Sequence, residues 1–139
     1  MKTVAVGDVI PEHHVVVRAD AMKPMALLLR DPNPIHWDPG ALRALGLDER
    51  PINQGPLNVS YIWEAIAAWT GEPTLIRSLR VRFVSNALAG DRLVVGGEVI
   101  SHDPEKRRVT CSVWVHHADG QPVLTGTAAI DTGVCHDIA

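Results

Sequence analysis

Residues 55–70 constrain the fold more than any other stretch of the chain. Leu57, Val59, Tyr61, Ile62, Trp63, Ala65, Ile66, Ala67, Ala68 and Trp69 are interrupted only by Asn58, Ser60, Glu64 and Thr70. Gly55 reads as the N-cap, Pro56 as the first helical position, where its missing N–H costs nothing, and Gly71 with Pro73 as the stop. A helix that is apolar nearly all round is buried nearly all round. Burying a large apolar side chain contributes roughly 1.5–3 kcal/mol, so this helix is expected at the centre of the core with other elements wrapped about it.

The residues that follow supply the wrapping. Leu79, Val81 and Phe83 alternate with Ser78, Arg80 and Arg82, and Val109, Cys111, Val113 and Val115 alternate with Thr110, Ser112, Trp114 and His116. Residues 92–101 and 123–131 read as two further strands, with turn signals at Gly90, at Asp103 with Pro104, and at Asp119 with Gly120. Upstream, a turn at Gly7 and Asp8 precedes the β-branched run Val15, Val16, Val17, the first strand. Asp20 is the expected N-cap of a helix over residues 21–29, where Met22, Met25, Ala26 and Leu29 recur at helical spacing and Pro32 forces the exit. The sum is an α+β domain, a five-stranded antiparallel sheet around one long buried helix. A chain of 139 residues, 46% of them hydrophobic, suits a single domain over residues 1–139 that completes its burial by associating with a partner. Neither repeats nor low-complexity tracts interrupt it, and residues 133–139 carry no strong pattern.

The stretch that bears chemistry is Leu29, Arg30, Asp31, Pro32, Asn33, Pro34, Ile35, His36. Asp31 and His36 lie five residues apart, and the two prolines forbid helix between them and push Asp31 and Asn33 toward extended or turn conformations. Stiff polar loops of this kind carry function when a rigid scaffold positions them. By residue type alone, Asp before Pro is a common turn opener and a lone loop histidine is usually solvated. The longer run from Asp31 through Trp37 to Asp38, however, resembles the signature of the MaoC-like dehydratases and (R)-specific enoyl-CoA hydratases, a branch of the hotdog-fold superfamily. The helical pattern over residues 39–45 with Gly46 as its stop, the glycine-led apolar helix and the later strands fit the same family, so the resemblance spans most of the chain.

The resemblance implies a single hotdog domain that adds water reversibly across the double bond of a 2-enoyl thioester, giving a 3-hydroxyacyl thioester. It implies Asp31 and His36 as the catalytic pair, Asn33 and Asp38 as support for the motif or substrate, and the Gly55 N–H as donor to the thioester carbonyl. Acid–base assistance from such a pair is worth roughly 10²- to 10⁴-fold. Coenzyme A or an acyl carrier protein enters as part of the substrate, and no separate cofactor is implied. Two departures stand out: Gln54 occupies a position where the family often has His, and Pro56 replaces an aliphatic residue and deletes its N–H. Gly55 with Leu57 is then the expected donor set for a developing oxyanion. Hotdog pockets form where two units meet, so a homodimer or higher homo-oligomer is expected, with a heteromer as the other arrangement.

Composition narrows the remaining classes. A formal net charge of −3 provides no basic footprint, which argues against nucleic acid and against an anionic membrane surface. No segment approaches ~18 continuous apolar residues, and Met1, Lys2 and Thr3 lead into no apolar signal core, so a soluble protein is expected. Cys111 and Cys135 are too far apart for metal or redox spacing and fit a reducing, cytoplasmic setting. His13 with His14 and His116 with His117 would point to opposite faces of their strands, so no metal is expected. Arg77, Arg80 and Arg82 read as a solvated face rather than as contacts to the phosphates of coenzyme A. Glu64 carries the alternative of a hotdog acyl-CoA thioesterase with its acid on the central helix, although a charge at the helix edge, or one pairing an Arg across a dimer, is the favoured explanation. A hotdog subunit that only shapes a partner's tunnel is disfavoured by the presence of both Asp31 and His36. Trp37, Trp63 and Trp69 are the candidates to narrow an acyl pocket.

Overall fold

Helix α3 (Gly55–Thr70) lies against one face of a five-stranded antiparallel sheet in a computed structural model that describes residues 4–72 and 75–132. The sheet comprises β1 (Val9–Val16), β2 (Ile76–Phe83), β3 (Arg92–Asp103), β4 (Arg108–His117) and β5 (Pro122–Asp131), in the order β1-β3-β4-β5-β2. Two shorter helices, α1 (Ala19–Leu29) and α2 (Pro39–Ala44), and a 3₁₀ turn (Pro34–His36) occupy the stretch between β1 and α3.

The core is the contact between α3 and the inward residues of the sheet. Tyr61, Ile62, Ala65 and Ile66 of α3 are buried against Leu93 and Val95 of β3, Val113 and Val115 of β4, and Leu124 and Ala128 of β5. The period of two in β4 matches its burial: Val109, Cys111, Val113 and Val115 point in, and the residues between them are partly exposed. Phe83 departs from its alternation. It ends β2 with 53% of its surface exposed, past the cover that α3 gives to Leu79 and Val81.

Three helix boundaries differ from the sequence expectation, each for a local reason. Helix α1 starts at Ala19 with Arg18 as its cap, because the Arg18 guanidinium holds the Asp20 carboxylate (Nε to Oδ1, 2.9 Å) and keeps it from capping. Gln54, in extended backbone, is the cap of α3, so Gly55 is the first helical residue and Pro56 the second. Helix α2 ends at Ala44, one residue short of the expected end. Gly71 closes α3 in the left-handed conformation (φ 75°) that glycine adopts most easily, whereas Pro73 and residues 133–139 lie outside the described residues.

Candidate active site

Asp31 is delivered by the way α1 ends. Arg30 turns left-handed (φ 53°), its N–H donates to the Leu27 carbonyl, and the Asp31 N–H donates to the Ala26 carbonyl at 2.9 Å, which is a Schellman ending. A non-glycine residue in that conformation costs on the order of 1 kcal/mol. The Asp31 carboxylate then accepts the Asn33 N–H through Oδ1 (3.0 Å), leaving Oδ2 turned toward the imidazole of His36.

His36 is buried and fixed from behind. Its Nδ1 donates to the Ile52 carbonyl at 2.6 Å, and the Ile52 N–H returns a bond to the Ile35 carbonyl at 3.0 Å. A carbonyl only accepts, so Nδ1 carries the proton and Nε2 of the neutral ring offers a lone pair. That Nε2 faces Asp31 Oδ2 at 3.5 Å. Two acceptors at this separation can receive the two O–H groups of a single water. Asn33 and Asp38 shape the loop around the pair: Asn33 Oδ1 accepts the Ile35 N–H at the start of the 3₁₀ turn, and Asp38 Oδ1 accepts the Gly40 N–H (2.8 Å) as the cap of α2.

The segment that holds Ile52 is itself braced. Asn53 N–H donates to the Ala87 carbonyl and Ala89 N–H to that of Pro51, while the Arg50 guanidinium bonds Asp91 at 2.8 Å. Directly beyond it, the start of α3 brings up Gly55. Among the described residues the Gly55 N–H has no hydrogen-bond partner, Pro56 has no N–H, and the Leu57 N–H donates to the Gln54 carbonyl at 3.0 Å. Gly55 is therefore the open donor of the helix start, and Leu57 is engaged because the earlier cap places it three residues beyond Gln54. The ring of Phe83 roofs Gly55: a Cβ there would lie 3.1 Å from Cζ. Beside Asp31 opens a pocket of about 410 Å³, walled by Ala26 and Leu27 of α1, by Pro32 and Trp37 of the loop, and by Lys23.

The other sequence candidates lie elsewhere. Glu64 is nine residues along α3 from Gly55, roughly 13 Å at 1.5 Å per residue, and faces His13 Nε2 (3.4 Å) with more than half of its side chain exposed. Arg77 and Arg108 share the Asp131 carboxylate, which they hold below the usual carboxylate range, and Arg80 and Arg82 are exposed on β2. Burial pushes the Cys111 thiol up to about 11, which leaves it an inert core residue; Cys135 is outside the described residues. Among the described residues no group of His, Cys, Asp and Glu is arranged to hold a metal, and no helix is long and apolar enough to cross a membrane. Of the tryptophans, Trp37 lines the pocket and Trp69 packs against the core. The Ile52 carbonyl escapes sequence reading because a backbone atom carries no residue signature.

A five-stranded antiparallel sheet around a long helix, with a carboxylate facing an imidazole in the connection that precedes that helix, defines a hotdog-fold enzyme domain. The family model described as "MaoC like domain" matches residues 3–119, and the chain belongs to that family, whose hydratases and dehydratases are hydro-lyases. No curated protein sequence matches the chain. Among solved structures it is similar to an (R)-hydratase from A. caviae involved in PHA biosynthesis, with 23% identity over 94% of this chain and 98% of that one and a TM-score of 0.83. The unliganded R-hydratase PhaJ1 from Pseudomonas aeruginosa shares 28% identity over 91% of this chain and 81% of that one, with a TM-score of 0.78. A chain of the ChsH1–ChsH2 complex from Mycobacterium tuberculosis aligns at 22% identity over 93% and 98%, with a TM-score of 0.80.

Proposed function

We propose that the protein hydrates a 2-enoyl thioester, with coenzyme A as the carrier to be tried first, and dehydrates the 3-hydroxyacyl product in reverse. The observation that carries this reading is the Asp31–His36 pair, 3.5 Å apart, with His36 bonded to the Ile52 carbonyl three residues before the open Gly55 N–H. The pair takes a proton from the bound water as the water oxygen bonds to C3. The π electrons of the C2–C3 bond move toward the thioester, whose oxygen gains charge against the Gly55 N–H, and the pair returns a proton to C2. Which member is base and which is acid is not separable, because the two groups share one proton inventory. The mostly apolar pocket beside Asp31 suits an acyl chain. The (R)-hydratases from A. caviae and Pseudomonas aeruginosa share this fold, and the ChsH1–ChsH2 complex supplies precedent for a heteromer. A homodimer is the assembly proposed here, with the two sheets joined edge to edge.

The decisive assay follows a panel of enoyl-CoA chain lengths. Loss of the enoyl-thioester ultraviolet absorbance without release of free thiol is the expected result. Thiol release would instead identify a thioesterase, for which the exposed Glu64 gives little structural support.

The roof over Gly55 yields a second expectation. Gly55→Ala sets a methyl against the Phe83 ring, which lies at the end of an exposed side chain and turns aside rather than displacing β2. Turnover should fall about tenfold, short of the 10²- to 10³-fold typical of losing a donor outright. Phe83→Leu in the same chain should recover most of the loss, and a double variant no better than Gly55→Ala would show that the ring is not what displaces the donor.

A further inference from the structure

We propose that Gln54 is a positioning residue: its side-chain amide ties α1 to the start of α3 and so fixes the Asp31 carboxylate relative to the Gly55 N–H. The proposal rests on the hydratase reading above for its effect on turnover, but the tether itself is independent of that reading. Gln54 is 1% exposed, and its Nε2 donates to the Met22 carbonyl of α1 at 2.8 Å. One end of this bond is a single residue before the open donor, and the other sits on the helix whose left-handed ending launches Asp31.

Helix α1 is anchored on one face only. Met22 and Ala26 are buried and Ala21 and Met25 pack partly buried against the core, whereas Leu27 and Leu28 are 81% and 79% exposed. A helix held along one face opens locally more readily than the central strands, so a buried hydrogen bond to its backbone bears on where its end points.

The same side chain also carries a cost. Among the described residues Gln54 Oε1 is buried without a hydrogen-bond partner, a condition that destabilises a fold and that an apolar side chain of the same length would remove. The other end of the amide offsets that cost: it donates to the Met22 carbonyl, a bond that an apolar side chain would forfeit.

Stability and positioning therefore make different forecasts for Gln54→Met. The substitution removes the orphaned Oε1 but also the donor to the Met22 carbonyl, two effects of opposite sign, so the thermal midpoint should stay close to that of the parent. Turnover should nevertheless fall by about 10- to 100-fold, the scale expected when a reacting group is displaced by a fraction of an ångström to one ångström. KM should stay within about threefold, since the lost interaction acts on geometry and not on substrate affinity. Gln54→His keeps a side-chain N–H at similar reach and should restore turnover to within about threefold of the parent. Hydrogen–deuterium exchange on the intact protein supplies a readout without activity: in Gln54→Met the amides of α1 should exchange faster while β3 and β4 are unchanged.

Unaltered α1 exchange overturns the tether. Full turnover in Gln54→Met, or a loss that simply follows a lowered midpoint, overturns its role in positioning. Should the parent hydrate no enoyl thioester, that failure belongs to the functional reading, and α1 exchange alone then decides the tether.

Discussion

Asp31→Asn and His36→Ala are each expected to lower hydration of an enoyl thioester by about 10²- to 10⁴-fold, with the folded state retained in both. The asparagine keeps the shape of the aspartate, and its Oδ1 can still accept the Asn33 N–H that orders the loop. What it removes is the negative acceptor facing His36 Nε2, so the water loses one of its two holds and the site loses a proton carrier. His36→Ala does more to the structure, because the Ile52 carbonyl loses its 2.6 Å partner behind the ring. An unmade buried hydrogen bond costs about 1–3 kcal/mol, so this variant should melt several degrees lower while remaining folded at assay temperature. Turnover and the thermal midpoint measured on the same samples separate the two effects. Parent-like turnover in either variant would remove the pair from the mechanism.

The largest expected loss of stability comes from Gly126→Ala. Gly126 lies in β5, paired with Val81 of β2 on one side and Val113 of β4 on the other. A Cβ built there would lie 2.1 Å from the Arg80 carbonyl oxygen and 3.0 Å from the Val81 Cα, both backbone atoms that no rotamer change can move. The edge strand β2 must draw away, weakening its ladder to β5 along the Leu79 to Phe83 segment. Overpacking of this kind typically costs about 1–3 kcal/mol and sometimes more. At about 4 °C per kcal/mol for a domain of this size, the midpoint should drop visibly in a thermal or urea melt. A parent-like midpoint would mean that β2 and β5 accommodate the methyl without separating. Because β2 also carries Phe83 over Gly55, a displaced strand should impair turnover as well as stability.

The parts of this fold that repeat were the parts readable in the chain. Residues 55–70 announce a buried helix through apolar residues on nearly every side, and the later strands announce themselves through alternation, because both signals are summed over many positions. The Asp31–His36 loop was legible for a different reason: two prolines leave a short stiff connection that cannot be α-helix, although its second half, Pro34–His36, closes into a 3₁₀ turn that the sequence reading did not expect. What escaped depends on single contacts. The Arg18–Asp20 side-chain pair moves the start of α1, and Arg30 takes a left-handed turn that sequence normally marks with Gly or Asn. Leu57, expected as a second oxyanion donor, has its N–H engaged by Gln54 because α3 begins one residue sooner than the Gly-Pro signal implies. Phe83 continues the apolar spacing of Leu79 and Val81 in the sequence but not their burial, because that spacing holds no information on where the covering helix stops, and the ring ends over Gly55 instead of in the core.

The ending of α1 has one more implication. Successive residues of a helix advance by about 100° and 1.5 Å, and the Schellman turn copies the phase of the last helical turn onto Asp31. Counting from the Met22 carbonyl gripped by Gln54, the number of residues to the carboxylate is thus indexed like teeth on a gear. One residue added or removed in that interval would rotate the acid away from the imidazole while every side chain of the motif kept its identity. Replacing the exposed Leu28 leaves that index intact, whereas inserting or deleting a residue does not.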